Sequence, residues 1–300
     1  MTYRERPSAL PGAVLWTREA GGVPPSVPGC PVLPDGCMDL LWSEDTGLLV
    51  AGPDVRAHQP AETAGAAVRW AGLRFAPGAA PALLGVPARE LLGRRVPLAE
   101  LWPAHRAVRL RDRVARAGEP AAGLEAAGLE LAGATGAADP LVAALVAGAR
   151  AGRPLDRIAE RTGAGARLLH RRAVAAFGYG PRTLTRVLRL QRALPLPAPR
   201  QATFAPSRRP ARPLAAPAES PSTSSTRASG RHAESTHRTP LLDGRTMPAV
   251  ALDAGLPLAE TAVRSGYADQ PHLGREVKAL TGLTPAQLRT LRRPLAVEHA

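Results

Sequence analysis

With 300 residues, 45% of them hydrophobic, the chain has room for about two domains of roughly 100–200 residues and at least one buried core. It contains no run of about 20 apolar residues, which argues against a membrane-spanning helix. Met1-Thr2-Tyr3-Arg4-Glu5-Arg6 lacks the apolar stretch of a secretory signal, so a cytoplasmic location is expected. Two cysteines, Cys30 and Cys37, are too few for a disulfide framework or a four-thiolate zinc site. The net charge of +14 is unevenly placed: residues 1–139 carry −1, 140–194 carry +9, 195–248 carry +5 and 249–300 carry +1. A neutral front half followed by a basic back half predicts a core domain and then a polyanion-binding module. The competing reading is a solvated basic face.

In chain order, Ala13–Thr17, Met38–Ser43, Gly47–Ala51 and Ala67–Phe75 are short apolar runs bounded by turn residues such as Pro34-Asp35-Gly36. They predict an antiparallel sheet or barrel. All four tryptophans (Trp16, Trp42, Trp70, Trp102) precede residue 103, and Trp in such strands is expected in the core. From Pro77 the pattern turns helical, with Ala79–Leu84, Pro103–Ala117, Ala121–Leu131 and Asp139–Ala151. Asp139-Pro140 makes a good helix start: a capping side chain, then Pro at the first helical position. Residues 195–248 hold 10 Pro, 7 Ser and 6 Thr with almost no large apolar side chain, so this 54-residue stretch is expected to be disordered.

A repeated pattern flanks that stretch. Pro154-Leu155-Asp156-Arg157-Ile158-Ala159 through Gly163 and Pro257-Leu258-Ala259-Glu260-Thr261-Ala262 through Gly266 each predict an amphipathic helix, with Ala four residues before Gly. This spacing suits a helix-turn-helix, because a small residue lets the second helix approach and Gly takes the left-handed turn conformation. A second helix follows each time, Ala166–Phe177 and Asp269–Thr281, ending at Gly178 and Gly282. A third begins at the next Pro, Arg182–Leu194 and Ala286–Arg292. The alternative is a pair of helical hairpins from an all-α core. The basic and polar side chains on the proposed second helices speak against it.

The back half resembles the DNA-binding domain of AraC-type transcriptional regulators. The resemblance rests on Ser265-Gly266-Tyr267-Ala268-Asp269-Gln270, His272-Leu273-Gly274-Arg275-Glu276-Val277-Lys278 and Thr281-Gly282-Leu283-Thr284-Pro285. It rests also, more loosely, on Leu169-His170-Arg171-Arg172 through Phe177-Gly178-Tyr179-Gly180-Pro181. The front half is similar to the N-terminal domain of one AraC-type subgroup around Pro34-Asp35-Gly36-Cys37-Met38-Asp39-Leu40 and Gly72-Leu73-Arg74-Phe75-Ala76-Pro77-Gly78. The expected fold class is α+β: a β-rich sensor or oligomerisation domain with trailing helices (1–135), then an all-α C-terminal domain. That second domain comprises a first helix-turn-helix and linker helix (139–194), the disordered insertion (195–248) and a second helix-turn-helix (249–293).

The resemblance implies a bacterial-type regulator, an activator or a repressor of transcription, that reads the major groove of double-stranded DNA with two recognition helices. It implies RNA polymerase, a small-molecule effector in the N-terminal domain and a second copy of the chain as further partners, and no membrane. Counting outward from Leu169 and Leu273, the expected base readers are Arg167, His170, Arg171, Gln270 and Arg275. Arg172, Arg182, Arg186 and Arg189 are the expected phosphate contacts. Gly274 offers no side chain and Pro271 no amide donor, so the first motif is expected to supply most of the discrimination and the second to clamp the backbone. Family members join the motifs by one continuous helix. Here 54 residues intervene, spanning roughly 40 Å as a coil, and the motifs are expected to lose rigid register. No catalytic residue, cofactor or metal site is expected: Cys30 and Cys37 lack zinc-knuckle spacing, and no phosphate loop or nucleophile elbow occurs. Asp35 and Asp39 read as turn caps before an acid pair. A rival reading is a small-molecule-binding or catalytic β-domain whose basic tail binds nucleic acid nonspecifically. A third is a regulator inactivated by the insertion.

Overall fold

The computed structural model describes residues 2–19, 31–59, 69–194 and 256–292. The expected disordered insertion and Cys30 lie outside these residues. The fold is α+β. Six strands, β1 (Thr2–Pro7), β2 (Val14–Glu19), β3 (Asp39–Ser43), β4 (Gly47–Ala51), β5 (Arg69–Arg74) and β6 (Arg95–Pro97), form one sheet in the order β1-β2-β5-β3-β4-β6. Every pairing in it is antiparallel.

The strand period of two sorts the side chains by face. Leu15 and Leu40 both stand opposite Leu73, and all three are essentially sealed from solvent, each burial contributing about 1.5–3 kcal/mol. On the other face Trp16 stands opposite Gly72, and Asp39 and Val14 opposite Arg74. The apolar face is covered by α1 (Ala80–Leu84), α2 (Leu98–Leu101), α3 (Ala104–Arg116) and α4 (Pro120–Thr135). Helix α4 comes closest at Gly128, where an added Cβ would stand 2.4 Å from Leu73. Glu125 of α4 ties down the β1–β2 corner: its carboxylate accepts from Arg6 at 2.9 Å, Ser8 Oγ at 2.7 Å and the Ala9 amide at 2.7 Å. The two strands that periodicity did not predict, β1 and β6, are the sheet's edges, one strongly charged and the other three residues long. Of the tryptophans, Trp42 and Trp102 are core, whereas Trp16 and Trp70 are half-buried.

The helical half follows as α5 (Pro140–Arg150), α6 (Leu155–Thr162), α7 (Ala166–Phe177), α8 (Pro181–Ala193), α9 (Leu258–Ser265), α10 (Gln270–Thr281) and α11 (Pro285–Arg292). Asp139 caps α5, its carboxylate accepting from the Leu141 amide at 2.8 Å. Leu145, Ile158, Leu169, Phe177 and Leu184 build one core; Leu190, Ala262, Leu273, Val277 and Leu288 build a second. Both α6–α7 and α9–α10 turn at a glycine of positive φ, Gly163 and Gly266. Helix α8 serves both cores, through Leu184 and Leu188 to the first and Leu190 and Ala193 to the second. Here the structure departs from the expected loss of register. The second motif is held against α8 by shared apolar packing, which does not require the intervening chain to be helical. Among the described residues no helix is long and apolar enough to cross a membrane.

Candidate nucleic-acid interface

Helix α7 buries Leu169, Ala173 and Phe177, at spacings of four, so the same 3.6-residue period turns Arg167, His170 and Arg171 outward. All three are exposed. No salt bridge engages Arg167 or Arg171 among the described residues. His170 lies across Gly180, where an added Cβ would stand 3.0 Å from its Nε2. Helix α10 likewise buries Leu273, Val277 and Leu280 and leaves Gln270, Arg275 and Lys278 exposed. Asp269 caps α10, accepting from the His272 amide at 2.6 Å. Lys278 was passed over by counting only first-turn positions; its i+3 spacing from Arg275 was the available signal.

The four expected phosphate contacts separate into two groups. Arg182 is exposed in the first turn of α8, free of salt bridges among the described residues, and Arg172 makes a solvent-exposed 3.4 Å ion pair with Asp139. Arg186 and Arg189 instead face the second motif. The Arg186 Nε donates to Glu276 of α10 at 2.8 Å, and this bond raises the guanidinium's pKa further. The Arg189 guanidinium stands 5.4 Å from the Tyr267 ring centroid, within cation–π range. One turn on, Arg192 lies between Gly152 and Gly266, where an added Cβ would meet its guanidinium at 3.0 and 3.5 Å. Desolvation lowers its pKa, and Arg189 adds to the effect. Positions 186, 189 and 192 thus form one face of α8 that seats the second motif. Burial raises the Tyr267 hydroxyl to about 12.

The N-terminal domain grips both motifs. The Phe177 ring would lie 2.9 Å from a Cβ on Gly78, and Gly178 sits over the Ala88 carbonyl oxygen. A two-residue bridge between Val32 and His58 leads to the second motif, where the Ala57 amide donates to the Leu280 carbonyl at 2.7 Å and Leu33 enters its core. Gln191 of α8 donates to the Pro34 carbonyl at 2.7 Å.

On the outer sheet face, Asp35 caps its own turn by accepting from the Cys37 amide at 2.8 Å, and Asp39 accepts from the Trp16 indole at 3.0 Å. Arg74 stands among Glu5, Asp35 and Asp39 at 3.3, 3.5 and 3.4 Å. Desolvation raises the Asp35 carboxyl and the Cys37 thiol above their ordinary values.

Residues 14–97 match a domain of unknown function, DUF6597. The DUF6597 segment spans β2 through β6 and carries Asp35, Asp39 and Arg74. No curated protein and no solved structure matches the chain.

Proposed function

We propose that the protein is a sequence-specific DNA-binding transcriptional regulator of the AraC type, with the DUF6597-containing β-domain as sensor and α5–α11 as reader. One observation carries this reading. Arg167 and Arg171 project from the exposed face of α7 without an acidic partner among the described residues, and Arg182 on the following helix is likewise free of salt bridges among them. Several other arginines are matched, as in Arg6–Glu125, Arg95–Asp54 and Arg113–Glu130, whereas these three lie on consecutive helices of the first motif. Unpaired cations on a short helix held by a glycine turn suit the major groove, where Arg donates to guanine O6 and N7.

The test is selection of bound sequences from random duplex DNA, followed by titration over a salt series. A selected motif bound roughly 10³-fold or more above random DNA, with affinity falling steeply with salt, supports the reading. Salt-dependent binding without a selected motif favours instead a β-domain with a nonspecific basic tail.

A further inference from the structure

We propose that the outer face of the sheet, at Glu5, Trp16, Asp35, Asp39, Arg74 and Tyr179, is a binding site for a small organic cation carrying N–H donors, a primary amine or a guanidinium. The proposal rests on reading the β-domain as the sensor and names what it senses.

The first observation is an excess of acceptors. Three carboxylates share one guanidinium at 3.3–3.5 Å, longer than well-formed charge-assisted hydrogen bonds. The cluster holds three carboxyl groups against one guanidinium. The second, independent observation is the Tyr179 hydroxyl. Tyr179 is 7% exposed and its hydroxyl has no hydrogen-bond partner among the described residues. That oxygen lies against the Asp35-Gly36-Cys37 turn, 3.7 Å from where a Gly36 Cβ would stand. A buried hydroxyl left without a partner is costly unless something arrives to use it.

Shape and size narrow the ligand. The Asp35 side chain stays 31% open to solvent, so a ligand can reach its carboxyl. Among the described residues no three His, Cys, Asp or Glu side chains converge tightly enough to hold a metal ion, so the fit is to a larger, organic cation. The Trp16 ring lies flat on Gly72, where an added Cβ would be 2.2 Å from it, and the Tyr3 ring is 5.9 Å away. Two aromatic faces beside carboxylates favour a cation with a planar or apolar part. The occupant would also be felt by the reader: Gly36 rests on Leu184 and Leu188 of α8, and Pro34 is bonded to Gln191.

The experiment is isothermal titration of the full chain, without DNA and at low salt. The probes are methylguanidine and 1,4-diaminobutane, compared with tetramethylammonium and butyrate. Saturable binding of methylguanidine or diaminobutane is expected, with neither comparator binding. Asp35→Asn should weaken it at least tenfold. Tyr179→Phe, which removes only the unpartnered hydroxyl, should weaken it several-fold and decides the matter should Asp35→Asn fail to fold. Glu44→Gln, at a surface ion pair with Arg69 elsewhere, should leave it unchanged. No saturable binding at millimolar concentrations, equal binding of tetramethylammonium, or binding indifferent to both site variants overturns the proposal. Because no DNA is present, such a failure is distinguishable from failure of the DNA-binding reading.

Discussion

The two helix-turn-helix motifs share a design and differ in how they are held. The first is continuous with the β-domain, its Phe177 seated on Gly78 and its closing turn on the Ala88 carbonyl. The second is reached only after a long intervening chain, and it is held by a small core and by the arginine face of α8. Equivalent residues therefore have unequal surroundings. Gly178 and Gly282 have the same φ of 75°, but a Cβ on Gly178 would stand 3.1 Å from a backbone oxygen whereas one on Gly282 meets nothing within 4 Å. What the first motif gets from chain continuity and the Phe177 seat, the second gets from its own core, the arginines of α8 and the Ala57–Leu280 backbone hydrogen bond to the β-domain.

Several measurements would break or sharpen this contrast. The largest effect is expected from Phe177→Ala, at about 3–5 kcal/mol of unfolding free energy in denaturant titration, since the ring is fully buried between α7 and the β-domain. An effect below about 1 kcal/mol would mean that the first motif is not anchored there.

Next come the proposed base contacts. Arg171→Ala should cost about 1–3 kcal/mol of discrimination on a selected DNA site, and Arg275→Ala less. A greater loss of specificity from Arg275→Ala would reverse the assigned roles.

Shortening the tether is a third test. Deleting Pro195–Pro248 cuts the segment between Leu194 and Leu258 from 63 residues to 9. If that segment behaves as its composition predicts, loop entropy favours docking of the second motif by about 1.7 kcal/mol. Hydrogen exchange in α10 should slow accordingly, and unchanged exchange would show that docking is not limited by the tether.

The glycine pair gives a finer comparison. Gly282→Ala should cost about 1 kcal/mol from backbone strain alone, and Gly178→Ala measurably more. Equal costs would remove the distinction. The smallest effect concerns pH. Hydrogen bonding from Arg6, joined by Ala9 and Ser8, holds Glu125 down to about 2, below its ordinary value near 4.5. Its stabilisation is therefore complete above about pH 5 and lost as pH falls toward 2. Wild type should exceed Glu125→Gln in stability at neutral pH, and the gap should close through that window in acid melts.

Periodicity made most of this legible. The central strands announce themselves as short apolar runs between turn residues and most of the long helices through three- and four-residue apolar spacing, and the glycine and proline punctuation placed both turns. The edge strands β1 and β6 escaped because a charged strand such as Tyr3-Arg4-Glu5-Arg6 and a three-residue strand carry no alternation to read. In the interface, outward positions on α7 and α10 follow from the buried leucines, so Arg167, Arg171 and Arg275 could be placed from sequence. The engagement of Arg186 by Glu276, 90 residues away, could not. Nor could the meeting of Glu5, Asp35, Asp39 and Arg74, which strand order alone brings together.

The seating of Phe177 against Gly78 has a practical consequence for anyone dividing the molecule. A fragment beginning at residue 139 would keep every helix from α5 to α11 yet open the fully buried Phe177 ring toward water, and such a piece should be sticky and ill-formed. The smallest faithful fragment must begin upstream of Gly78, so the β-domain doubles as a chaperoning wall for the helix behind it.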